Sequence, residues 1–424
     1  MENISRLETK IKEKSSSADI LVISRTFLPS SGGVEEYMYN RCLQDPDRVI
    51  ALVAGCSGDK AFDKAQRFPV YRWPNPKYCH SGLIGSTLEA FLNLVWSFVL
   101  AIKLYFRYHY RYIEWGHGYD FISLLLLSYL LPIRFFIYVH GNDLLSTVHN
   151  YIIKALFELT LKRAKGIVCK SSFTRDYLCA HFRFDTPTHV INPVVRREKF
   201  GVVSSGNLDD LRVRVRDAYD IPQTAVVILS VGKFVKRKGF DLVIENLTPL
   251  LTLGLDVHYI LCGYGPDELE LYSLACRLRV ERRVHFAGYV PDHELAGYYA
   301  ACDIFAMLTL DDIKAASIEG LGIVFLEAGY FGKPVIASRV GGVTDVVRHG
   351  ENGILVNPYS GNDMLQAFRR LCQDQQLREQ LGSTGKALAN RRTLHRSLYV
   401  GVRSQESGKI PTLPTPPADN RDHF

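Results

Sequence analysis

The stretch SIEGLGIVFLEAGYFGKPVIAS, residues 317–338, sets two glutamates, Glu319 and Glu327, in an otherwise apolar, glycine-punctuated segment. A buried carboxylate without partners is costly, so each needs donors, cations or a ligand. On one continuous helix the eight-residue spacing would put them about 12 Å apart. Gly320 and Gly322 flank Leu321, however, which predicts a loop that turns into a helix near Ile323. Glu319 then sits in the loop and Glu327 in the second helical turn. The free N–H groups and positive end of the helix lie between them, a ready site for phosphate. This layout suits an elongated ligand with an anionic middle and a hydroxyl-rich group at each end, because carboxylates accept hydrogen bonds from vicinal hydroxyls. A nucleotide sugar has that form: sugar, diphosphate, ribose.

Outward from this segment, short apolar runs alternate with helix-like stretches, the sign of parallel α/β units. DILVIS (19–24), VIALVA (49–54), FFIYVHG (135–141), GIVCKS (166–171) and HVINPV (189–194) read as strands of a first series. After GVVSSGNLDD (201–210) the pattern restarts with AVVILSVGKF (225–234), DVHYILCGYGP (256–266), RVHFAGYV (283–290), DIFAML (303–308) and PVIASRVGG (334–342). Two doubly wound, Rossmann-like parallel-sheet domains are predicted, at 19–200 and 223–403, joined by a linker at 201–222. A polar segment (1–18) precedes them, and a Pro-rich, polar tail (404–424) reads as disordered. Such sheets bind ligands at the carboxyl ends of their strands, so two face to face make a cleft.

The chain's 424 residues, 47% hydrophobic and 22% charged, are ordinarily globular, and the length fits two domains. A formal charge of +7 suits phosphates or an anionic membrane face. There is no nucleic-acid-binding fingerprint, so nucleic acid is not an expected partner. The nine cysteines are scattered, with no CxxC or metal-ligand spacing, which reads as free thiols in a reducing compartment. With no apolar signal core in the first eighteen residues, a cytoplasmic location is expected. Two apolar runs, Ala90–Ile102 and Phe121–Ile133, are shorter than the roughly 20 residues of a spanning helix and read first as core-facing helices. The first continues into YFRYHYRYIEW (105–115), which interleaves aromatic and basic groups as membrane-surface segments do.

A diphosphate needs cations. VGKFVKRKGFD (231–241) offers Lys233 and Lys238 after a strand, with Gly232 and Gly239 letting the backbone come close. A solvated basic turn is the plain alternative for this segment taken alone.

The ordered set of motifs resembles the retaining glycosyltransferases of the GT-B fold, group 1 or family 4, whose signature is E-x7-E. Glu319 and Glu327 match that signature, residues 326–342 its following LEA…GKPVIAS…GG, and Lys233 and Lys238 its basic pair. CGYGP (262–266), VHFAGYVPDHELAGYYAACDIF (284–305) and PSSGGVE (29–35) match further pieces, and the resemblance covers roughly residues 19–390. It implies that Glu319 contacts the donor sugar near the reacting carbon and Glu327 holds the ribose. Lys233 and Lys238 would stabilise the departing diphosphate with amides around Gly322 and Ile323. Gly32 and Gly33 would approach donor phosphate or acceptor, and His140 would lie near the transferred sugar. The chain departs from the pattern at Lys233, where arginine is common, in the acidic segment MLTLDDIKAAS (307–317), and at Asp345, where glutamate is common.

The resemblance implies transfer of a hexose-type sugar from a nucleotide diphosphate donor, with retention. No cofactor or metal is expected, because Lys233, Lys238 and the helix terminus can do the electrostatic work of a metal. The lone DxD motif, Asp45-Pro46-Asp47, has no further carboxylates placed to complete a metal site. The segment 83–115 lies in the half expected to hold the acceptor, which favours a lipid-linked or membrane-surface saccharide over a free sugar. The same residues leave open a GT-B-fold nucleotide-sugar epimerase and an inactive nucleotide-sugar-binding module.

Overall fold

A computed structural model describes residues 18–74, 83–201, 205–311 and 318–391 of the chain. The described strands form two parallel sheets. The first has the order β3 (Val70–Trp73), β2 (Val49–Ala54), β1 (Ile20–Ser24), β4 (Tyr112–Trp115), β5 (Arg134–Val139), β6 (Gly166–Cys169), β7 (Thr188–Val190). The second has the order β10 (Val284–Gly288), β9 (Val257–Cys262), β8 (Val226–Val231), β11 (Ile304–Met307), β12 (Val335–Ser338), β13 (Gly353–Val356). In each, the strand order reverses beside the first strand of the series, at β1/β4 and at β8/β11. That reversal opens a crevice at the carboxyl ends of the strands.

The strands are apolar on both faces because both faces are covered. In β8, Ile228 packs into one hydrophobic layer, while Val227 and Leu229 pack into the other, the period-two alternation of a strand. In the first sheet one face is apolar, with Leu21, Ile23, Ile113 and Trp115 in one cluster. The opposite face carries a buried ion pair. Glu114, fully buried on β4, accepts from Arg41 Nε and Nη2 at 2.8 and 2.7 Å and from the Tyr138 hydroxyl at 2.8 Å.

Three expectations change. The run Ala90–Ile102 is not the short core-facing helix expected first: it belongs to the longer helix Leu83–Tyr108, on which Phe91, Val99 and Phe106 are exposed, while Tyr110 is buried and Tyr112–Trp115 is the central strand β4 between β1 and β5, so 83–115 is not one surface run either. Arg111 and Glu114 disguised that strand, and Glu114 is tolerated there only because Arg41 neutralises it. The predicted linker 201–222 holds a helix, Ser205–Ala218, that packs on the second domain. Its Arg216 is fully buried and donates to four backbone carbonyls and to Asp303. β3 and β13 were not foreseen. The predicted polar start (apart from Ala18, which is described), the tail and the end of the acidic segment, 312–317, lie outside the described residues.

Candidate active site

The loop after β11 and the helix Ile323–Tyr330 adopt the predicted arrangement. Gly322 caps the helix at φ 82°, a left-handed conformation open to glycine, and no side chain caps the first amides. Glu319 lies in the loop and Glu327 in the second turn.

Glu319 is 7% exposed. Its Oε2 accepts from Lys238 Nζ at 2.5 Å and from Arg237 Nη1 at 3.1 Å. Burial alone would raise its pKa, but Lys238 and Arg237 prevail and hold it at about 2. The carboxylate is therefore ionised. Its Oε1 has no hydrogen-bond partner among the described residues. A 3₁₀ turn at Lys236–Lys238 aims Arg237 and Lys238 at Glu319 and sends Lys236 to Asp241. That turn packs against the end of β11 through Gly239, where a Cβ would lie 2.0 Å from the Leu308 carbonyl oxygen. Lys233 is exposed and has no ion-pair partner among the described residues.

Glu327 is 2% exposed. Its Oε1 accepts from Lys199 Nζ and its Oε2 from the Tyr299 hydroxyl, both at 2.8 Å. Each oxygen keeps one further acceptor position. Burial would lower the Lys199 ammonium, yet Glu327 and Asp292 beside it keep it above its ordinary value. Arg196 extends this network, pairing with Glu36 at 2.8 Å and Asp292 at 3.2 Å, so it ties the first helix, Gly33–Gln44, to the second domain.

The first domain closes onto this loop. Asn142 Oδ1 accepts from the Ile318 amide at 3.0 Å, and Asp345 Oδ2 accepts from the Ser172 amide at 2.6 Å, at the start of the helix Ser172–His181. A Cβ on Gly320 would lie 2.4 Å from the His140 carbonyl oxygen, and one on Gly33 would lie 3.7 Å from Ile323 Cδ1. Gly32 and Gly33, expected to meet phosphate or acceptor, therefore start a helix facing the Glu327 helix. Glu35 curls back over Gly32 and accepts from the amides of its own first turn.

His140 sits at the end of β5. Its Nε2 lies 2.8 Å from the Gly116 carbonyl oxygen, which assigns the proton to Nε2. Its Nδ1 is buried without a partner. Burial, countered by Asp143 and aided by Lys170, lowers its pKa to about 4, so the ring is neutral at physiological pH. The bare Nδ1 can accept a hydrogen bond but is a weak base.

The structure thus brings together Glu319, Lys238, Gly320, Gly322, Ile323, Gly33 and His140. Glu327 is fixed one helical turn further on, and Lys233, exposed just after β8, makes no ion pair among the described residues. Sequence reasoning missed Arg237, Lys199, Tyr299 and Lys170. Arg237 was visible within KRKG; the other three arrive from distant positions. Among the described residues no cluster of three or more His, Cys, Asp or Glu could hold a metal, and Asp45 instead pairs with Arg41 at 3.1 Å.

Comparisons with known proteins fit this architecture. The family described as "Glycosyltransferase Family 4" matches residues 31–199, and "Glycosyl transferases group 1" matches 212–388. The chain is 30% identical over 216 residues to a GDP-mannose-dependent α-(1-6)-phosphatidylinositol monomannoside mannosyltransferase of Mycolicibacterium smegmatis, covering 51% of this chain and 55% of that one. It is 35% identical over 170 residues to the lipopolysaccharide core biosynthesis glycosyltransferase LpsE of Rhizobium meliloti, covering 40% and 46%. These matches span about half the length of those relatives. Among solved structures, Anabaena HepE in complex with UDP-glucose superposes with a TM-score of 0.70 at 21% identity, covering 92% of this chain and 99% of that one. With paired family matches over both halves and the same two-sheet GT-B fold, the chain belongs to the group 1 glycosyltransferases.

Proposed function

We propose that the protein transfers a sugar from a nucleoside diphosphate sugar to a saccharide or lipid-linked saccharide, with retention at the anomeric carbon and without a metal. The observation that carries this reading is Glu319, ionised and clamped by Lys238 and Arg237 beside an uncapped helix N-terminus. The sugar's hydroxyls would donate to Glu319 Oε1 and to His140 Nδ1. The diphosphate would rest on the amides at Gly322 and Ile323, its charge met by Arg237, Lys238 and the exposed Lys233. The ribose hydroxyls would use the remaining acceptor positions of Glu327. As the bond from the anomeric carbon to the diphosphate breaks, the acceptor oxygen bonds to that carbon on the same face, and its proton passes to the leaving phosphate oxygen. Aimed cations at a developing charge in a water-poor cleft are worth several kcal/mol. Closure through Asn142 and Asp345 would exclude water and limit hydrolysis.

On the acceptor side, the helix Leu83–Tyr108 has an inverted pattern. Asn93 and Ser97 face inward, Asn93 accepting from Trp73 Nε1 at 2.7 Å, while Phe91 and Phe106 are 61% and 71% exposed. Leu88, Val99 and Phe106 lie on the outward stripe with Phe91, and Lys103 and Arg107 are exposed at its end. An apolar stripe flanked by cations suits an anionic membrane surface. Relatives named for phosphatidylinositol mannoside and lipopolysaccharide core synthesis support a lipid-linked acceptor.

The test is donor cleavage. Purified protein with UDP-, GDP- or ADP-sugars and detergent-solubilised lipid acceptors should release nucleoside diphosphate only when donor and acceptor match. An epimeric nucleotide sugar formed without acceptor would replace this reading with an isomerase. Donor binding with no release under any acceptor would replace it with a binding module.

A further inference from the structure

Lys170 follows β6 at the carboxyl edge of the first sheet, and the residue is 6% exposed. Its ammonium makes no hydrogen bond or ion pair among the described residues, Glu319 pairing instead with Arg237 and Lys238, and Nζ is not among the fully enclosed, unpartnered polar atoms. It points into the seam between the domains. Nζ would lie 3.5 Å from a Cβ on Gly33, and Cδ 3.8 Å from a Cβ on Gly320.

The nearby carboxylates are already engaged. Glu319 Oε2 is taken by Lys238 and Arg237. Asp143 accepts from the amides of Gly118, His140, Gly141 and Leu144. Glu35 is folded onto the amides of its own helix start. The seam therefore holds three cations, Lys170, Arg237 and Lys238, and the carboxylates around Lys170, Glu319, Glu35 and Asp143, form no ion pair with it. The helix N-terminus at Ile323, which no side chain caps, adds positive potential. Burial, aided by Lys238 and opposed by Glu319, Glu35 and Asp143, lowers the Lys170 pKa. A buried cation lacking a direct partner is unfavourable unless an anion completes the site.

We propose that Lys170 is a phosphate-binding residue contributed by the first domain, contacting the terminal phosphate of the nucleoside diphosphate seated at the Ile323 helix. This rests on the donor site proposed above. Its consequence is that domain closure reads the number of phosphates: a diphosphate reaches the seam and a monophosphate does not.

The experiment measures dissociation constants for whichever of UDP, GDP and ADP binds and for its monophosphate, by calorimetry, in the parent, Lys170→Met, Lys170→Arg and Glu327→Ala. Lys170→Met should weaken diphosphate binding about tenfold, about 1.4 kcal/mol. It should leave monophosphate binding unchanged and should not lower the melting temperature of the protein alone. Lys170→Arg should recover part of the loss. Equal loss for both nucleotides, or no loss for the diphosphate, overturns the proposal. A lower melting temperature with unchanged affinity would also overturn it, making Lys170 a structural partner of Glu319. If Glu327→Ala weakens nucleotide binding while Lys170→Met does not, only the Lys170 proposal fails. If no diphosphate binds the parent, or Glu327→Ala changes nothing, the donor site itself fails.

Discussion

Replacing Glu319 by glutamine keeps the shape of the loop and removes one charge. In the parent the carboxyl is held at about 2 rather than 4.5, burial opposing and Lys238 and Arg237 prevailing. That gap corresponds to stabilisation on the order of 3 kcal/mol in the folded state. Because the folded pKa is depressed, the contribution is fully present above the unfolded value near 4.5 and is lost as pH falls through about 2. By pH 3 about half of it is gone. Glutamine is neutral throughout, so Glu319→Gln should be less stable at pH 7 and converge on the parent in acid. For a domain of this size the deficit is a melting temperature lower by roughly 6–12 °C, read by scanning calorimetry at pH 7 and pH 3. Turnover should fall by about 10²-fold or more. Diphosphate affinity should not fall, because Lys238 and Arg237 remain and lose a competing carboxylate. If the variant melts within 2 °C (about 0.5–1 kcal/mol) of the parent at pH 7, with the same acid dependence, Glu319 is not clamped as described.

Four further outcomes are expected. Glu327→Ala should weaken nucleoside diphosphate binding and leave Lys199 and Tyr299 without their shared acceptor; thermal shifts with added nucleotide measure the first effect. Arg41→Met strands Glu114 in the first sheet and should cost roughly 3–5 kcal/mol, seen in urea unfolding. The double variant Phe91→Ser and Phe106→Ser should lose sedimentation with anionic lipid vesicles while keeping donor binding; equal sedimentation of parent and variant would remove the membrane role of that helix. EDTA should leave turnover unchanged, since Lys238 and Arg237 supply the charge proposed for the leaving group; loss restored by Mg²⁺ or Mn²⁺ would contradict the proposed metal independence.

Much of the fold was legible because parallel strands covered on both faces read as unbroken apolar runs, as in VIALVA and VVILSV. β4 was not, because its Glu114 is neutralised by Arg41, 73 residues away, which no local pattern reveals. The Glu319–Glu327 loop and helix were legible because glycines and helix geometry are local. The partners of these carboxylates were less so. Lys199 precedes the second sheet and Tyr299 comes from a helix before β11, each far in sequence from Glu327. The inward polar face of the Leu83–Tyr108 helix depends on Trp73 of β3, a strand the sequence reading had not placed.

The most direct measurement is a crystal structure with the nucleoside diphosphate that binds best. The account predicts phosphate oxygens within about 3 Å of the Ile323 amide and of Lys238 or Arg237, with ribose hydroxyls on Glu327. A diphosphate seated elsewhere, with Glu319 still closed onto both cations and Glu327 still enclosed by Lys199 and Tyr299, would contradict it.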